Sequence, residues 1–305
     1  MIGKAVVDTL VRKNFNIIAT DNMPNPFDAA ENLTYIQCKI TDEVIISSIF
    51  RKNHIHALVN LACSADNDFD NIMTPDDEKI SELVDRYIYR LAQRSGTDIL
   101  MMLSTHQVYA VEKTREPVRE AMDTRPSTVY GKMKLNSEEA LGAALKNSSG
   151  TRGICIRVCP IYTKTYIDNL KPKVYDAKAN CGFVYGEGEY GYTFTCLYNI
   201  PDFIYGVLTC SDDIACDGIY NVCDTSPVRA KDIVSRLMDM HQLGVVISRN
   251  YRPDAIMTAV AVFKSKAAKT DYRYNDLSVA CSNIRYDSTK AQRIAPIRWN
   301  FENTK

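Results

Sequence analysis

The chain has 305 residues, 46% of them hydrophobic and 24% charged, and a formal net charge of zero. That length allows one or two domains with a large core, and the charge balance offers nothing to nucleic acid or to an anionic membrane surface. No apolar run reaches the roughly 18 residues of a membrane span and no signal-peptide pattern opens the chain, so a cytoplasmic protein is expected.

Residues 3–13 carry Val6, Val7, Leu10 and Val11 on one face, which predicts a helix. A strand over 15–19 follows and ends at Thr20-Asp21-Asn22. Residues 34–38 read as a short strand, 43–51 as a helix, and 56–62 as a buried strand. A long helix over 78–93 leads to a strand over 98–103. A helix over 130–145 is followed by a strand over 153–158. Alternating helices and continuous apolar strands predict a parallel sheet covered on both faces. After residue 163 the rhythm breaks, and tyrosine and glycine cluster at Tyr185, Gly186, Gly188, Tyr190, Gly191 and Tyr192. That region fits a smaller lobe closing over a ligand. The α/β style returns in a strand over 218–222 and a helix from Ala230 to about Met240.

The ten cysteines include no C-x-x-C, and Cys155, Cys159, Cys196 and Cys223 lie in apolar runs. They read as buried, unpaired thiols. His54, His56, His106 and His241 lack metal-ligand spacing, so no metal is expected.

Two fragments carry chemistry together. Ser104-Thr105 closes an apolar run, and Tyr130-Gly131-Lys132-Met133-Lys134 opens the next helix. Residues four apart share a helix face, so Tyr130 and Lys134 point the same way. A phenol has an unperturbed pKa of about 10, and an adjacent ammonium lowers it. Tyr130 can then exchange a proton with a carbinol or ketone, while Thr105 fixes the reacting oxygen. The hydride needs a nicotinamide, because no side chain accepts one. With 18 tyrosines a Tyr-x-x-x-Lys arises by chance, and Tyr109 with Lys113 is read as such a chance pair.

These fragments resemble the extended short-chain dehydrogenase/reductase family of nucleotide-sugar epimerases and dehydratases. Leu103-Ser104-Thr105 with Val108-Tyr109 is similar to its strand-end motif, and Tyr130 and Lys134 to its base and lysine. Asn60-Leu61-Ala62 resembles the segment passing the cofactor. Arg157-Val158-Cys159-Pro160-Ile161-Tyr162 resembles the stretch beside the nicotinamide, and Gly218-Ile219-Tyr220-Asn221-Val222 a late strand. The resemblance covers most of residues 2–240. It implies a Rossmann-type doubly wound sheet over 1–163, with 195–240 returning to it. A C-terminal substrate lobe would comprise 164–194 and 241–305.

It further implies NAD as cofactor, held by Gly3, Asp21, Asn22, Ile40, Leu61, Ala62, Cys159, Tyr130 and Lys134. The partner would be a small-molecule substrate, a nucleotide sugar. A carboxylate at Asp21 would bind ribose hydroxyls and repel a 2′-phosphate; the other reading is a helix or turn cap. Homodimerisation through helices 78–93 and 130–145 would be family-like, although core helices carry the same pattern.

Several positions depart from the family. Its glycine-rich loop and first strand are represented only by Ile2-Gly3, about ten residues short of the usual G-x-x-G-x-x-G unit. A misplaced start or truncation, or a remnant that no longer binds NAD, both account for this. Lys39 in Cys38-Lys39-Ile40 stands where a carboxylate is usual. In the helix before Thr105, Ile80 and Ser81 stand nearest the place of the family's asparagine. Tyr192 and Asn199 stand nearest the family's later arginine and aspartate. His106-Gln107 cannot reproduce the acid pair of 4,6-dehydratases, which favours epimerisation or reduction over dehydration. His106 is either a proton carrier or a packed or solvent-facing side chain. The expected activity is NAD-dependent oxidoreduction at a sugar hydroxyl; the alternative is a catalytically impaired binding or regulatory protein on the same fold.

Overall fold

Ile99 to Leu103, the longest apolar run of the first half, becomes the middle of the sheet. The computed structural model describes residues 1–62, 75–110, 116–146, 148, 150–210, 216–250 and 282–305. In chain order the elements are α1 Ile2–Arg12, β1 Ile17–Asp21, β2 Leu33–Gln37, α2 Glu43–Lys52, β3 Ala57–Asn60, α3 Pro75–Arg94, β4 Ile99–Thr105, α4 Val129–Leu145 and β5 Arg152–Val158. The second half holds β6 Ile161–Tyr162, β7 Tyr175–Asp176, β8 Cys181–Tyr185, β9 Gly191–Tyr192, β10 Thr195–Cys196, α5 Asn199–Leu208, β11 Gly218–Val222, β12 Val228–Arg229, α6 Ala230–Asp239, β13 Val246–Arg249 and α7 Thr289–Gln292. Predicted boundaries shift by a few residues at most. The one that matters is β4, which runs on through Ser104 and Thr105 because both pair with β5, opposite Arg157 and Val158.

The main sheet is parallel, in the order β11-β5-β4-β3. Its faces are sorted by strand alternation. Ile99, Met101 and Leu103 of β4 join Ile154, Ile156 and Val158 of β5 against Val6 and Leu10 of α1 and Ile200, Phe203, Ile204 and Val207 of α5. Leu100 and Met102 point the other way, against Tyr89 and Ala92 of α3 and Ala140, Leu141 and Ala144 of α4. Each such fully buried apolar side chain contributes about 1.5–3 kcal/mol. This is the doubly wound arrangement expected from the sequence.

β1 and β2 form a separate parallel pair. Among the described residues, the second edges of β1 and β3 pair with no strand, yet Ile17, Ala57 and Val59 all pack on the same core. The orders β2-β1 and β3-β4-β5-β11 match a dinucleotide-binding sheet without its central strand.

A second cluster holds Tyr162, Ile167, Leu170, Val174, Tyr190, Tyr192 and Phe194, with Ala230, Ile233, Val234 and Leu237 of α6 and the C-terminal Trp299 and Phe301. The tyrosine-rich run is thus largely an aromatic core: Tyr185, Tyr190, Tyr192 and Phe194 follow one another at ring separations of 5.9–6.3 Å.

The expectation that all cysteines are unpaired is corrected. Cys210 and Cys216 are bonded to each other; the first follows α5 and the second precedes β11. Cys38, Cys155, Cys181, Cys196 and Cys223 are buried thiols.

Candidate active site

Thr105 ends β4 and is 5% exposed. Its Oγ1 accepts the Gln107 N–H at 3.3 Å and so caps the short 3-10 turn His106–Val108. The Gln107 side chain continues the link: its Oε1 accepts the hydroxyl of Thr128 at 2.8 Å. Thr128 is in turn the N-cap of α4, accepting the Gly131 N–H at 2.9 Å. An unbroken hydrogen-bonded chain therefore runs from Thr105 to the helix turn that carries Tyr130. Gln107, whose side chain is neither acid nor base, serves as the central link.

Gly131 permits this approach. A Cβ there would lie 2.6 Å from the Gln107 carbonyl oxygen and 3.0 Å from the Pro126 Cβ. Tyr130 is half-buried, and Lys134 is only 6% exposed, with its Nζ 6.0 Å from the Tyr130 ring centroid. Thr105 thus lies on β4, and Tyr130 and Lys134 on α4, two elements packed against each other.

Below Lys134 lies a group that the sequence did not single out. Asp85 of α3 is 7% exposed. Its Oδ1 accepts from Asn60 Nδ2 at 2.9 Å, and its Oδ2 accepts the Ser137 hydroxyl of α4. Burial raises its pKa, while the Ser137 bond, the Lys134 charge and the Asn60 bond pull it back. No sequence pattern marks it, since a single aspartate on an amphipathic helix reads as a solvated face.

The predicted cofactor residues fall at two places. Leu61 and Ala62 follow β3, and the Ala62 N–H donates to Asn60 Oδ1 at 3.2 Å. Cys159 follows β5, is buried, and donates its N–H to Thr195 Oγ1 at 2.9 Å. These join Thr105 at the carboxyl ends of the parallel strands, where open α/β sheets bind ligands. Asp21 and Asn22 end β1 and are exposed; Asp21 Oδ1 accepts the Met23 N–H at 3.1 Å. Ile40 is half-buried beside exposed Lys39. Gly3 lies in the first turn of α1. Gly3 and Asp21 both line a cavity of about 910 Å³ reaching Phe27, Tyr35, Tyr198 and Trp299.

His106 is a packed side chain. Its Nδ1 meets the Val158 carbonyl at 3.2 Å and so carries the hydrogen. Its ring stands edge-on to Tyr286. Burial, then the charge of Lys173, push its pKa down to about 3, so it carries no charge at neutral pH. Tyr109 is structural: its hydroxyl donates to Asn221 Oδ1 at 2.8 Å, and burial lifts its pKa to about 12. Lys113 lies outside the described residues. Asn199 clamps the C-terminal segment, accepting the N–H groups of Arg298 and Trp299 at 3.1 and 3.0 Å. Tyr192 packs in the aromatic core, with Lys173 Nζ 5.4 Å from its ring centroid. Among the described residues, no group of three His, Cys, Asp or Glu side chains is placed to hold a metal ion, and no helix is long and apolar enough to cross a membrane.

A parallel sheet with a hydroxyl at a strand end, next to a helix that opens with a Tyr-x-x-x-Lys pair, defines a Rossmann-type protein of the short-chain dehydrogenase/reductase kind. The chain belongs to the NAD dependent epimerase/dehydratase family, which it matches over residues 1–223. No curated protein matches it. Solved structures share its fold at low identity. The UDP-Glc/GlcNAc 4-epimerase from Campylobacter jejuni has a TM-score of 0.75 at 16% identity, over 99% of this chain and 92% of that one. MoeE5, solved with UDP-glucose and NAD, has a TM-score of 0.68 at 16% identity, over 99% and 92%. The UDP-glucuronic acid 4-epimerase from Bacillus cereus, solved with NAD, has a TM-score of 0.66 at 15% identity, over 98% and 88%.

Proposed function

We propose that this protein is an NAD-dependent epimerase or related oxidoreductase acting on a hydroxyl of a nucleotide sugar. The observation that carries the reading is the chain of hydrogen bonds from Thr105 through Gln107 and Thr128 to Gly131, which locks the strand-end hydroxyl to the helix turn bearing Tyr130.

The residues present fit the family's cofactor. A Cβ at Gly3 would meet no atom within 4 Å, so the fold itself does not demand glycine there, whereas a ligand reaching the helix N-terminus would. The exposed carboxylate of Asp21 lines the same cavity. Gly3, Asp21, Asn22, Ile40, Leu61, Ala62, Cys159, Tyr130 and Lys134 would hold NAD, which when bound supplies a hydride acceptor and donor. Tyr130 takes the proton from the substrate oxygen and gives it back. Lys134 favours the phenolate. Thr105 Oγ1 accepts one backbone N–H, which leaves its own hydrogen to hold the substrate oxygen in place. In an epimerase the same oxygen loses and regains its proton at Tyr130, with the sugar turned over between the two events. We assign the sheet and its helices to the cofactor, and 164–194 with 241–305 to the substrate. The exposed Leu83 and Ile80 on α3 support dimerisation through α3 and α4.

A second reading, a binding protein on the same fold, draws on Lys39 and on the edges of β1 and β3, which pair with no strand among the described residues. Calorimetry with NAD separates the two, followed by incubation with NAD and UDP-sugars and chromatography of the products. Binding and interconversion, with turnover falling by about 10²–10⁴ in Tyr130→Phe, are expected. A folded chain that binds no NAD, even with a strand and glycine loop added ahead of Met1, would sink the oxidoreductase reading.

A further inference from the structure

We propose that Asp85 is a positioning residue for the Tyr130–Lys134 pair, joining the end of β3 to α4 and setting a negative charge against the Lys134 ammonium. The proposal rests on the function proposed above.

The geometry makes Asp85 the hub of a buried network. Asn60 Nδ2 donates both to Asp85 Oδ1 at 2.9 Å and to the Tyr89 hydroxyl at 3.0 Å. Asn60 Oδ1 accepts the Ala62 N–H. Ala62, which would pass the cofactor, is therefore held through Asn60 to Asp85. On the other side the Ser137 hydroxyl binds Asp85 Oδ2 and ties in α4. One carboxylate thus holds two pieces of the candidate site in register.

Charge gives the second half of the argument. Lys134 and Asp85 are both nearly excluded from solvent. A buried ammonium is costly without an opposite charge nearby, and the Lys134 charge acts on Asp85. Ser137 lies three residues after Lys134 and seven after Tyr130. At 1.5 Å per residue, Tyr130 is about 10 Å along the helix axis from the residue that binds Asp85, and Lys134 stands between. Asp85 therefore acts on Tyr130 through Lys134. The groups facing Asp85 are Asn60 from β3, Lys134 and Ser137 from α4 and, on its own helix, Tyr89, with Cys155 of β5 beyond it. Lys134 is the only cation among them. Without its opposite charge the buried Lys134 ammonium is disfavoured and sheds its proton before Tyr130 ionises, so the phenol loses the charge that favours its ionised form.

The test is a titration of Tyr130 in the full chain labelled with carbon-13 at tyrosine Cζ. The Tyr130 signal is identified by its loss in Tyr130→Phe. Asp85→Asn keeps the shape and the hydrogen-bonding capacity but removes the charge. It should move the Tyr130 midpoint upward by about one pH unit, a tenfold loss of phenolate, in the same direction as Lys134→Met. A folded Asp85→Asn protein whose midpoint is unmoved, or falls as it would if Lys134 stayed charged with its counter-charge removed, overturns the proposal. If that variant does not fold, the Asp85 carboxyl signal of the wild-type chain decides. Ionisation below about pH 8 is required, and a carboxyl still protonated there overturns the assignment. Neither titration needs NAD or turnover. A failure here therefore leaves the functional reading intact, and a chain that binds no NAD still answers the question about Asp85.

Discussion

Arg157 and Glu138 form a two-pronged ion pair in the interior, Nη2 to Oε2 at 2.6 Å and Nε to Oε1 at 2.9 Å, with side chains 3% and 8% exposed. The pair joins β5 to α4, and the Ser104 hydroxyl completes it by donating to Glu138. Ser104 and Thr105 point to opposite faces of the strand, so the first braces α4 while the second reaches the candidate site. Arg157→Met should therefore leave Glu138 buried and uncompensated and cost about 3–5 kcal/mol. Denaturant unfolding of both chains checks this; a loss below about 1 kcal/mol, the scale of an exposed pair, would contradict it.

Gly131 provides a second prediction. Alanine is a better helix former than glycine by about 1 kcal/mol, so Gly131→Ala would stabilise a solvent-exposed helix. Here the added Cβ would meet the Gln107 carbonyl oxygen at 2.6 Å, and backbone does not move aside cheaply. The expected outcome is a net loss of about 1–3 kcal/mol together with reduced turnover, since Tyr130 is carried by the displaced turn. Calorimetric unfolding and an epimerisation assay read the two effects separately.

Asp21 bears on cofactor choice. Its carboxylate is exposed and makes a local turn bond to the Met23 N–H, so capping and cofactor selection are both open to it. Asp21→Asn preserves the turn bond and removes the charge that would repel a 2′-phosphate. NADP should then gain on NAD by about tenfold, equivalent to about 1.4 kcal/mol, in parallel calorimetric titrations. Equal preference before and after would assign Asp21 to the turn alone.

How much of this was legible in the sequence depends on whether a residue's role is local. β4 was readable because Ile99 to Leu103 is apolar on both faces, and Tyr130 with Lys134 because helix spacing fixes their shared side. Asp85, Gln107 and the Arg157–Glu138 pair were not. Each acts through partners far along the chain, 52 residues in the case of Ser137 and Asp85, and polar residues on amphipathic elements look the same whether solvated or paired. Lys173, fully buried beneath Tyr192, sits in a Lys-Pro-Lys stretch that reads as surface loop.

Asp224 gives stability a component that falls as pH rises. It is 2% exposed and accepts the Cys196 N–H at 2.8 Å, the Asn199 amide at 3.2 Å and the Tyr162 hydroxyl at 2.6 Å. Burial outweighs those bonds and raises its pKa from 3.8 to about 7. The folded chain therefore binds a proton that the unfolded chain releases between these two values. Stability from this group is complete below about pH 4 and declines as pH rises through about 7. The full difference is on the order of 4 kcal/mol. Because Asn199, Trp299 and Arg298 hang on the same network, ionisation should loosen the C-terminal segment first. Asp224→Asn should remove this decline between pH 5 and about 8, leaving the opposite, rising contribution of His106, whose pKa folding lowers to about 3, and amide exchange at Trp299 should lose its pH dependence beyond the intrinsic rate. A variant that retains the wild-type slope would place the titration on another group.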